Sequence, residues 1–195
     1  MAVELRHAAK VLVSWVAASL IGWLTAGGIL LLAQTLLPSL SGPAPLIVIF
    51  MPGVAQWLLL RRLLGIGPLW AATAPLATIG FAGFLAAVPV ALWQTVDGEA
   101  PATLAAIYGL LGALLGFLQW LALRRLVKPA WVWIVASAVG LAAGLALALQ
   151  TGLVDRSGMG AYVAAVLIYT ATTGVALAWL VGRAAPTPAA RLIAA

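Results

Sequence analysis

Gly53-Val54-Ala55-Gln56-Trp57-Leu58-Leu59-Leu60-Arg61-Arg62-Leu63 recurs 63 residues later as Gly116-Phe117-Leu118-Gln119-Trp120-Leu121-Ala122-Leu123-Arg124-Arg125-Leu126, with eight of the eleven positions identical. An apolar run closed by Trp and paired arginines is the signature of a helix end at a membrane interface, and its repetition predicts a chain built from membrane-helix units. The surrounding sequence agrees. It is 65% hydrophobic and 7% charged with a mean hydropathy of +1.17, whereas soluble domains carry roughly 25% charged residues. At roughly 20 apolar residues per crossing, 195 residues hold about six helices and their turns within one transmembrane domain, residues 1–195.

Working outward from the motif, the spacing of apolar runs predicts spans at about 11–36, 46–60, 69–95, 101–123, 131–153 and 161–181. The first is preceded by Arg6, His7 and Lys10 and is too long for the apolar core of a signal peptide, so it is read as a retained helix. Pro52, Pro75 and Pro89 fall inside the second and third spans, where each removes a ladder hydrogen bond and predicts a kink. Leu115, Ala138 and Gly152, their counterparts in the repeat, are not proline. That difference points to a local task for helices two and three, either a purely structural bend or the framing of a cavity.

The net charge of +6 is arranged as a topology signal. With the N-terminus cytoplasmic, Arg6, Lys10, Arg61, Arg62, Arg124, Arg125, Lys128, Arg183 and Arg191 share the cytoplasmic side, and only Arg156 lies opposite. The expectation is an all-α integral membrane protein of six spans with both termini cytoplasmic, placed in a bacterial inner membrane. Basic residues confined to helix ends leave no surface for a nucleic-acid partner.

The repeat reaches beyond the motif. Trp133-Ile134-Val135-Ala136-Ser137-Ala138-Val139-Gly140 keeps the Trp, Ala, Ser and Gly of Trp15-Val16-Ala17-Ala18-Ser19-Leu20-Ile21-Gly22, and Trp70-Ala71-Ala72-Thr73 is a weaker copy. Trp179 and Arg183 repeat the spacing of Trp57 and Arg61, with Ala178 in place of glutamine. The chain therefore reads as three helical hairpins repeated in parallel, with any pseudo-symmetry axis along the membrane normal.

Trp57, Arg61, Arg62, Trp120, Arg124, Arg125, Trp179 and Arg183 are expected to be interfacial anchors. In each copy the indole sits at headgroup level, with the guanidinium reaching back over it. Gln56 and Gln119 lie five residues deeper than the first arginine, roughly 7.5 Å of helix rise, where an amide needs a partner. They either bond each other or a facing carbonyl across the bundle, or form a polar site for a headgroup, pigment or small solute. Small-residue ladders such as Ser14, Ala18, Gly22 and Ala26 allow close helix approach, which also suits docking to a partner.

Enzymatic chemistry is not expected. The chain has no cysteine, its single histidine precedes the first span, and no charged residue falls in the middle of a predicted helix. Thiolate metal sites and a bis-histidine haem are thereby excluded, and ion-coupled pumping is disfavoured. The residues identify no cofactor.

The Gln-Trp-Leu-x-Leu-Arg-Arg endings resemble those of small uncharacterised multi-pass bacterial membrane proteins, which implies a six-helix bundle over about residues 10–183 and no activity. Size, helix count and termini also resemble the substrate-binding membrane subunits of energy-coupling-factor vitamin transporters. The leading expectation is a non-enzymatic accessory or scaffold subunit in the lipid bilayer that packs against a membrane-protein partner or itself, with bound lipid or pigment. The alternative is a small-solute, vitamin-like binding subunit of a transporter.

Overall fold

Runs of Ala, Leu and Val this long satisfy their own backbone groups only by coiling into helices. The computed structural model describes residues 2–36, 44–87, 101–150 and 159–183. Within these residues lie six helices and no strand: α1 (Ala2–Leu36), α2 (Ala44–Leu64), α3 (Leu69–Ala87), α4 (Pro101–Leu123), α5 (Val132–Gln150) and α6 (Met159–Arg183). Four are long and apolar enough to cross a membrane, through Ala8–Ile29 of α1, Ala102–Leu123 of α4, Val132–Gln150 of α5 and Ala165–Arg183 of α6. Leu69–Phe84 of α3 is a shorter apolar stretch, and α2 is 21 residues long.

Three helices run past their expected ends. The first ten residues are good helix formers, and α1 starts at Ala2 rather than at residue 11. α2 continues through Arg61 and Arg62, whose charge complements the carbonyl end of its dipole. It stops where Gly65 takes a left-handed φ of 71° and donates its N–H to the Arg61 carbonyl at 3.1 Å. α6 extends two residues beyond its expected span at each end. The expected spans at 69–95 and 131–153 run into residues 88–100 and 151–158, which are outside the described residues, as is Pro89.

Each helix packs against its neighbours in sequence, and α6 closes back onto α1, so the six form a ring in chain order. Glycines set the seams. A methyl group on Gly22 would come within 2.6 Å of the Pro52 backbone, joining α1 to α2, and one on Gly144 within 2.6 Å of the Ala165 backbone, joining α5 to α6. Gly112 and Gly116 bring α4 onto the backbone of α5 around Ser137 and Ile134, and Gly174 brings α6 onto Leu12 and Trp15 of α1. The α3–α4 seam is looser: a methyl group on Gly80 would meet only the Leu114 side chain, at 3.8 Å. The ladder in α1 is therefore divided: Ser14 faces outward, whereas Gly22 and Ala26 are buried inside the ring. Such close approach gives the dispersion contact on which helix association in lipid depends.

Pro75 shows how a helix breaker fits this arrangement. Lacking an N–H, it leaves the Ala71 carbonyl without its donor in the helical ladder. That carbonyl faces Gly53, where an added methyl carbon would lie 2.6 Å from the oxygen. The bare Cα of glycine covers the freed carbonyl with a weak C–H contact. Gly53→Ala is therefore expected to destabilise the purified protein by about 1–3 kcal/mol through overpacking. Gly27→Ala, which meets nothing within 4 Å, is expected to be neutral or slightly stabilising. Thermal unfolding of both variants in mild detergent checks the pair.

Candidate functional site

α1, α3 and α5 each carry one tryptophan of the Trp-Ala-Ser/Thr pattern, and these three converge. Trp15 of α1, Trp70 of α3 and Trp133 of α5 are completely buried. Their rings meet edge to face, with centroids 6.5 Å apart for Trp15–Trp70, 5.4 Å for Trp15–Trp133 and 5.7 Å for Trp70–Trp133. Alternate helices of a closed ring contribute them, so together they fill its middle. Leu60, Leu123, Val127, Leu177 and Leu180 pack around them, and the main apolar core lies at the end of the ring where α2 turns into α3 and α4 into α5. Offset and edge-on indole pairs each add roughly 0.5–1.5 kcal/mol beyond burial.

One turn deeper lies a polar layer. Ser19, Gln56, Thr73, Gln119, Ser137, Tyr169, Thr170 and Thr173 are all buried. Three hydrogen bonds cross seams of the ring: the Gln56 amide donates to Ser19 Oγ at 3.1 Å, the Trp133 indole to Gln119 Oε1 at 2.7 Å, and the Trp15 indole to Thr173 Oγ1 at 3.1 Å. The Thr173 hydroxyl in turn donates to the Tyr169 carbonyl at 2.7 Å. The two glutamines thus have partners on neighbouring helices, and neither of these bonds joins them to each other or to a carbonyl.

The copies are not used alike. Fourteen residues separate Gln56 from Trp70, as they do Gln119 from Trp133. Gln56, however, turns its amide toward α1, and the Trp70 indole N–H has no partner. Ser137 Oγ, Thr170 Oγ1 and the Tyr169 hydroxyl are also buried without a hydrogen bond, although Tyr169 lies beside Ser137 and Gln119. An orphaned buried polar atom costs about 1–3 kcal/mol, so these four are the chemically unsatisfied part of the interior. Among the described residues no three His, Cys, Asp or Glu side chains come together, which leaves hydroxyl, amide and indole groups as the interior's only means of recognition.

The outer motif residues form three cation–π pairs. The guanidinium of Arg61 lies 5.6 Å from the Trp57 ring, Arg124 lies 5.2 Å from Trp120, and Arg183 lies 4.0 Å from Trp179. Trp57 and Trp120 are half-buried, and Trp57 also donates its indole N–H to the Ile66 carbonyl at 3.1 Å, tying α2 to the turn before α3. Trp179 is exposed, as are Arg62 and Arg125. Pro52 is buried at the Gly22 seam and Pro75 half-buried in α3. The sequence marked the three opening tryptophans as a repeat but not as a cluster. The equal Gln-to-Trp spacing was the signal that could have linked two of them to the glutamines.

Gln119→Leu removes the acceptor of a fully buried indole and is expected to cost about 1–3 kcal/mol. The same change in a Trp133→Phe background is expected to cost measurably less. A double-mutant cycle read by thermal unfolding checks this coupling.

No protein-family model, no curated protein and no solved structure matches the chain.

Proposed function

We propose that the protein is a non-enzymatic integral membrane subunit that works through its outer surface, as an accessory or scaffold held against partner helices or a second copy, with lipid or pigment in its grooves. It crosses the membrane six times as three repeated hairpins, with both termini cytoplasmic. The observation that carries this reading is where the motif's polar chemistry goes: Gln56 and Gln119 bond Ser19 and Trp133 inside the ring, so the residues most suited to binding instead join its seams. What faces outward is apolar. Val13, Ile21 and Leu24 on α1 are 66%, 62% and 75% exposed, and Val175 on α6 is 60% exposed. The small-residue ladders lend this reading less support than they would on isolated helices, because most of their glycines are used within the chain.

The four unpartnered polar atoms favour a second reading, a transporter subunit that binds a small uncharged solute in the polar layer. The indole cluster would close the cytoplasmic end of such a site.

Two experiments separate these readings. Mild-detergent purification from native membranes is expected to bring a partner, a second copy or a bound lipophile with the chain. Elution alone at monomer mass, with stabilisation by a water-soluble vitamin-like solute, would favour the second reading. The orientation is tested on the same material, because the chain has no cysteine of its own. Leu126→Cys is expected to react with a membrane-impermeant maleimide only from the cytoplasmic side, and Gly98→Cys only from the opposite side.

A further inference from the structure

Where α6 closes onto α1, the outer face of the seam is open. Gly174 lets α6 settle against Leu12 and Trp15, but Ala17 and Ala171 are too small to fill the cleft above the contact. The result is a wholly apolar groove of about 460 Å³, lined by Val13, Val16, Ala17 and Leu20 of α1 and by Ala171 and Val175 of α6. A second hollow of about 370 Å³, lined by Ala9, Lys10, Val13 and Ser14, shares Val13 with the first and extends it to a cation. From Lys10 to Leu20 the path is roughly 15 Å along the helix axis. That is about the hydrocarbon depth of one bilayer leaflet.

We infer that this groove binds one anionic phospholipid, with an acyl chain along the α1–α6 cleft and its phosphate at Lys10. The inference deepens the scaffold reading by naming its lipid, and it relies on that reading only for the chain's place in a membrane. Charge is the discriminating feature. Arg6, Lys10, Arg61, Arg62, Arg124, Arg125, Lys128 and Arg183 are all exposed. Glu4 lies six positions before Lys10 on α1, which places it about 120° around the helix from that lysine. On the other wall, Ala171 and Val175 continue at i+4 spacing into Trp179 and Arg183. The Arg183 guanidinium is drawn back to 4.0 Å from the Trp179 ring, so a basic group and an indole stand at the headgroup end of the α6 wall as well. A partner helix would not require a cation at the mouth of the groove, whereas a phosphate does.

Native mass spectrometry of the detergent-purified full chain, titrated with phosphatidylglycerol or phosphatidylcholine, tests the site. The expected result is one phosphatidylglycerol retained under activation that strips phosphatidylcholine. Lys10→Gln is expected to weaken phosphatidylglycerol binding about fivefold and leave phosphatidylcholine unchanged. Ala17→Trp, at an exposed position, is expected to remove the retained lipid without lowering the unfolding temperature, and Ala171→Phe provides the same test from the opposite wall. Equal retention of both lipids, or an adduct unaffected by both groove-filling variants, would overturn the proposal. So would loss of a dimer or partner, rather than of lipid, in those variants. Because the lipid is added to the isolated chain, failure to find a native partner would count against the scaffold role and leave this result standing.

Discussion

In lipid, apolar side chains gain little by leaving the solvent, so a ring of helices must be held by close packing and by hydrogen bonds between helices. Here both converge on three indoles. Trp15, Trp70 and Trp133 touch one another at the middle of the ring, and two of them hydrogen-bond across seams to Thr173 and Gln119. The cluster also ties the chain's ends together, because Trp15 on the first helix is held by Thr173 on the last. One glycine seam meets the cluster directly: an added methyl carbon on Gly174 of α6 would lie 2.9 Å from the Trp15 ring.

The cationic end and the aromatic centre are coupled through the repeated motif. Each copy supplies a buried glutamine and, towards the end of its helix, a Trp–Arg cation–π pair. The motif therefore grades from a buried amide through a half-buried indole to an exposed guanidinium. In α6 the glutamine's place is taken by Ala178, and the inward bond passes to Thr173 instead. The ring is thereby chemically uneven, with Trp70 the one member of the cluster whose indole N–H has no acceptor.

Much of the helical layout was legible because apolar length and terminal charge are local properties. The fourth helix begins and ends where the sequence places it, at 101–123, and the turn at Gly65-Ile66-Gly67-Pro68 is where the glycines and proline announce it. The convergence of Trp15, Trp70 and Trp133 was not legible. It depends on ring closure between α1 and α6, a contact between residues about 160 positions apart that no local pattern encodes. The glutamines illustrate the same division. Their depth showed that each needed a partner, but the choice of Ser19 and Trp133 follows from helix rotation within the ring. The α1 ladder suggested an outward docking face, yet Gly22 and Ala26 turned inward because Pro52 of α2 presents a backbone against which only glycine fits closely.

The closed ring depends on the contact of the sixth helix with the first. Val16 and Ala171 stand on opposite walls of the cleft between these helices, and the absence of native cysteine makes a Val16→Cys, Ala171→Cys pair unambiguous. Treatment of dilute, purified double variant with a short bifunctional thiol reagent should give a rapid cross-link within one chain, at a rate independent of protein concentration. A product that forms only between chains, or two independently modified cysteines with no cross-link, would contradict the closed ring.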